Sequence, residues 1–126
     1  MRRFILPGLA LAMLILAASV YRAGAADQPK KEMITGEINC LYCYASRTDM
    51  GADPVGCQTR CITKKAMPAV VVQEGTGEAF VIVWKGGESA VPKLAPLIGK
   101  KVNVQGPVYK KGGVNVIEAQ IIAEAM

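Results

Sequence analysis

The chain has 126 residues, 52% of them hydrophobic, with four cysteines, no histidine and a formal net charge of +5. About 100 residues remain once an apolar leader is set aside, which is room for one domain with one modest core and not for several. Without histidine the commonest general base is missing, and with it the usual nitrogen ligand for metals.

Residues 1–25 read as a secretory signal. Arg2 and Arg3 form the positive start, residues 4–20 are nearly all apolar, and Ala23-Gly24-Ala25 fits the small-residue cleavage rule. An uncleaved anchor is the rival reading, since the apolar run is close to the roughly 17-residue minimum for a spanning helix, but Pro7 interrupts its start. Cleavage would place the protein in the periplasm or outside the cell, with the membrane touched only through an uncleaved leader. Arg2, Arg3 and Arg22 leave with the leader, so the remainder carries twelve Lys and Arg against ten Asp and Glu. Its lysines come as scattered pairs, which suits a solvated surface and gives no nucleic-acid patch.

Residues 26–31 form a short lead-in, and 32–126 the domain. Residues 33–39 (MITGEIN) mix alternation with β-branched residues and predict a first strand, with Gly36 at a bulge or bend. Residues 69–73 (AVVVQ) and 78–84 (EAFVIVW) predict a hairpin across a glycine-containing turn. Pro92 and Pro96 restrict residues 89–98 to a short helix or turn. Residues 101–109 alternate, with Val102, Val104 and Val108 inward and Gly106-Pro107 disturbing the second half. After the Lys110–Gly113 turn, residues 114–123 predict one last strand. Phe80, Trp84 and Tyr109 suit a core or barrel rim better than a platform for stacking bases.

Between the first two strands lies a loop, residues 40–61, holding every cysteine: a C-x-x-C pair (Cys40, Cys43) and a C-x-x-x-C pair (Cys57, Cys61), with thirteen residues between the pairs. Gly51, Asp53, Pro54 and Gly56 favour turns there, bringing the second pair back over the first so that all four thiols share one cluster. A helical turn from Cys57 would put Cys57 and Cys61 on one face. Tyr44 follows Cys43 where a c-type haem site needs histidine, so that cofactor is excluded. Thioredoxin-like exchange at Cys40-Leu41-Tyr42-Cys43 lacks its βαβ surroundings. Two chemistries stay open. The four thiolates can hold a metal or redox cofactor, zinc, copper or an iron–sulfur cluster. Alternatively, export favours two disulfides locking the loop as a surface for a protein or small ligand. Tyr42, Tyr44 and Trp84 are candidates to line a pocket beside the thiols. Asp49 and Asp53 suit a cation less well than a solvated turn, and Met33, Met50 and Met67 suit gap-filling better than thioether ligation. The residue types favour a binding module over an enzyme.

Five strands with a helical segment between the third and fourth give the layout of an all-β OB-fold, a partly open five-stranded Greek-key barrel. The run from Gly99 to Ala119 is similar to the closing hairpin of many bacterial OB-fold domains. The G-E-I start at Gly36, the C-Y at Cys43-Tyr44 and the C-x-x-x-C-I ending at Ile62 resemble a group of small exported bacterial proteins of unassigned function. Members of that group often carry histidine ahead of C-x-x-x-C. Here there is none, and Cys40 is an added thiol, so a metal site is not carried over from that group by analogy.

Overall fold

The computed structural model describes residues 29–46 and 51–126. The leader, the start of the lead-in, Asp49 and Met50 lie outside the described residues. In chain order the elements are β1 (Lys31–Cys40), α1 (Leu41–Ser46), α2 (Pro54–Thr63), β2 (Ala69–Gln73) and β3 (Ala79–Trp84). They are followed by α3 (Val91–Leu94) running into a 3-10 turn, β4 (Lys101–Lys111), β5 (Val114–Ala119) and β6 (Ile121–Glu124).

β1 closes the barrel because it is long enough to serve two neighbours. Its first part lies antiparallel to β4, from Lys31 opposite Pro107 to Glu37 opposite Lys101. Its second part lies antiparallel to β2, from Gly36 opposite Gln73 to Cys40 opposite Ala69. The handover falls at Gly36, where a Cβ would overlap the Val72 carbonyl. Only glycine lets the two backbones approach this closely, so the expected bend has a specific cause. β2 pairs antiparallel with β3, β3 parallel with β5, and β5 antiparallel with the end of β4. The circuit β1-β2-β3-β5-β4-β1 is therefore closed, with α3 between β3 and β4: an OB-fold-like barrel carrying one extra strand.

Period-two alternation fills the interior. Ile34, Ile38, Val71, Phe80, Ile82, Val102, Val104 and Ile117 are buried together, and Leu94 of α3 and Ile98 join the same cluster. Trp84 packs against it half-buried, with the Lys93 ammonium 5.4 Å from its ring centre, while Tyr109 is exposed. Lysines pair across exposed edges, Lys101 with Glu74 at 2.7 Å and Lys110 with Glu78 at 2.9 Å. Among the described residues no helix is long and apolar enough to cross a membrane.

The last strand differs from expectation. Residues 114–123 do not form one strand but break at Gln120, whose N–H donates to the Gln105 carbonyl at 2.8 Å. Gly106 is the reason: a Cβ there would overlap the Glu118 carbonyl, so the partner chain folds down over it. β5 pairs with Val108–Lys111 and β6 with Val102–Gln105. The disturbance expected at Gly106-Pro107 thus appears on the opposite strand, and β4 itself runs unbroken.

Candidate metal centre

Cys40 is the last residue of β1, held in the sheet opposite Ala69. The chain then turns directly into α1, whose first N–H, that of Leu41, donates to the Pro68 carbonyl at 2.9 Å. This helix puts Cys43 on the inner side, 1% exposed. α2 begins with Asp53 as its N-cap, the carboxylate accepting from the Gly56 N–H at 2.9 Å, and Pro54 fills the first turn, where a missing N–H is harmless. Ten helical residues bring Cys61 and Ile62 inward.

The result is a group of three sulfurs. The Sγ atoms of Cys40, Cys43 and Cys61 all lie within 4.8 Å of one another, and all three residues are buried. Cys43 and Cys61 stand 3.9 Å apart, and no disulfide joins them. Sulfurs placed tetrahedrally at about 2.3 Å from one ion would be about 3.8 Å apart, so this pair already has the spacing that a shared ion imposes. Burial pushes the Cys43 thiol up to about 12 from an ordinary 9.0, and the Cys61 and Cys40 thiols beside it add to the rise. The thiol is therefore neutral near pH 7, and an entering ion must displace its proton.

The expected cluster of four is thus a cluster of three. Cys57 packs half-buried against the same core, outside the three-sulfur group. Residues four apart do share a helix face, but they lie about 6 Å apart along the axis, and one turn of α2 faces Cys40 and Cys43. A cavity of about 260 Å³ opens beside the sulfurs, lined by Tyr42, Cys43, Cys61, Lys65 and Met67. Tyr42 is at its edge and 55% exposed. Tyr44 and Trp84 do not line it, and the Tyr44 hydroxyl instead donates to the Gly77 carbonyl at 2.8 Å. Asp53 serves as a helix cap, and Met33 is exposed on β1.

Gln58 is the residue that sequence reasoning missed. It is 6% exposed, the one buried polar side chain of the described chain. Its Oε1 accepts from the Cys40 N–H, and its Nε2 donates to Asn39 Oδ1 at 2.6 Å. One amide therefore ties α2 to the end of β1 and fixes Cys40 relative to Cys61. The signal was available: on a helix beginning at Pro54, Gln58 falls three and four residues before Cys61 and Ile62, a polar residue on the apolar stripe.

After α2 the chain reverses through Ala66, whose φ of 52° is the sole left-handed value outside glycine among the described residues. The turn returns Met67 so that its N–H donates to the Cys61 carbonyl at 3.0 Å. Alanine in this region costs about 1–2 kcal/mol. Ala66→Gly is expected to raise the unfolding free energy by about 1 kcal/mol in urea titration. An unchanged or lowered midpoint would mean the turn carries no strain.

No protein-family model, curated protein or solved structure matches the chain.

Proposed function

We propose that the protein is an exported, non-catalytic binding module that holds one metal ion between Cys40, Cys43 and Cys61. The observation that carries this reading is the convergence of three buried sulfurs from three separate elements within 4.8 Å. A core stabilised by packing alone has no need to gather three thiols, and an odd number cannot be consumed by disulfides within the group. The leader at 1–25 supports export, where an OB-fold barrel gives the site a rigid base.

A second reading rests on the 3.9 Å approach of Cys43 and Cys61. A shift of about 2 Å would bring these sulfurs to the 2.03–2.05 Å of a disulfide, giving a disulfide-stabilised module that binds a protein or small ligand. Protein isolated without chelator or reductant separates the two. The metal reading expects one equivalent of metal per chain by elemental analysis, lost in Cys43→Ser, with thiols that react slowly until a chelator is added. Metal-free protein with two thiols fewer than its cysteine count would establish the disulfide instead. Intact mass of the same sample is expected to lack residues 1–25, and a retained leader on membrane-bound protein would overturn export.

A further inference from the structure

We infer that the ion is monovalent copper, bound by the thiolates of Cys40, Cys43 and Cys61, with the Met67 thioether as a fourth donor from the cavity side. The inference rests on the metal reading above and narrows it to one ion class and one further ligand.

The donor set is the first argument. The chain contains no histidine. The amides nearest the thiols are engaged, Gln58 with the Cys40 N–H and Asn39, and Asn39 Nδ2 with the Glu37 carbonyl at 3.4 Å. No carboxylate lines the cavity. Apart from the Tyr42 hydroxyl and the Lys65 amine, the donor atoms lining this space are sulfur, and thiolate with thioether is the combination that soft monovalent copper selects.

Coordination number is the second. Structural zinc takes four protein ligands in nearly all its sites, whereas three sulfurs converge here and Cys57 lies outside the group. A thioether is a fourth donor that soft monovalent copper accepts and zinc does not, so three thiolates with Met67 complete a copper site but leave zinc one ligand short. Charge alone would favour the divalent ion, since three thiolates carry −1 around zinc and −2 around monovalent copper. Lys65, on the cavity wall, sets a positive charge beside the more negative complex and narrows that difference.

Met67 supplies the third. It lines the cavity with Cys43 and Cys61 and packs against the core that contains them. Its place depends on the left-handed Ala66 and on its own N–H bond to the Cys61 carbonyl. Backbone strain immediately before a candidate ligand, kept where glycine would relieve it, is the pattern of a positioned donor.

The test is a pair of anaerobic competition titrations on the purified, reduced protein, monovalent copper against bicinchoninate and zinc against a chromophoric chelator. One copper per chain is expected, together with displacement of prebound zinc by equimolar copper. Met67→Leu is expected to weaken copper at least about tenfold while leaving zinc affinity and the thermal midpoint unchanged. Cys57→Ser is expected to leave copper affinity unchanged. Zinc retained against equimolar copper would overturn the assignment of the ion, and wild-type copper affinity in Met67→Leu would overturn the thioether. Should that variant not fold, the copper–zinc competition on the wild type decides the ion, and copper absorption-edge counting of sulfur neighbours (four expected, three overturning) decides Met67. Binding of neither ion would overturn the metal reading itself.

Discussion

Gly36→Ala is expected to lower the unfolding free energy by about 3 kcal/mol or more, enough to leave much of a marginal small domain unfolded. The added methyl would collide with the Val72 carbonyl and crowd Gln73 Cα. Those are backbone atoms, which cannot rotate away as a side-chain end would. Relief requires moving β1 away from β2, and β1 is at that point also paired with β4. Both ladders that close the barrel therefore loosen together. Gly75→Ala is the control: nothing lies within 4 Å of its added Cβ, and its φ of 86° leaves only the cost of left-handed backbone, about 1–2 kcal/mol. Urea denaturation of the two variants checks the comparison, and equal losses would show that the close approach at Gly36 is not what holds the barrel.

Gln58→Leu is expected to cost about 2–3 kcal/mol and, on the proposed metal reading, to weaken metal binding about 10–100-fold. Leucine nearly conserves volume, so the loss comes from polarity: the buried Cys40 N–H would have no acceptor, and Asn39 would lose its donor. The second effect follows from position. Cys40 belongs to the sheet and Cys61 to α2, and the amide is the hydrogen-bonded tie between those two elements beside the sulfurs. The check is a urea midpoint together with a metal competition titration on the same variant. Full metal affinity at reduced stability would reduce Gln58 to a structural role.

Much of the barrel was legible because its strands obey a simple period. Val102 and Val104 alternate cleanly, glycines mark the hairpin turns, and the two prolines at 92 and 96 cap the length of the helical segment. What stayed hidden depends on partners distant in sequence. Nothing local in residues 114–123 shows that Gly106, across the hairpin, will draw the chain down and split β5 from β6. α1 was equally silent, since its six residues begin directly after Cys40, which is no N-capping residue type, and make too few turns to show a period. In α2, Asp53-Pro54 is a helix-start signature that reads equally well as a turn. The spacing of the thiols was legible, but their number was not. Cys57 and Cys61 look equivalent on paper, and only the docking of α2 against the end of β1 selects Cys61.

β1 pairs with β4 across some of the longest sequence separations in the fold, Lys31 meeting Pro107. Strands so far apart along the chain pair late, and barrels of this kind fold in milliseconds to seconds where helical proteins take microseconds to milliseconds. The thiol-bearing segment lies between these strands, so a newly emerging chain shows Cys40, Cys43 and Cys61 to solvent before its two ends have met. Ring closure is therefore also the step that withdraws these thiols from solvent.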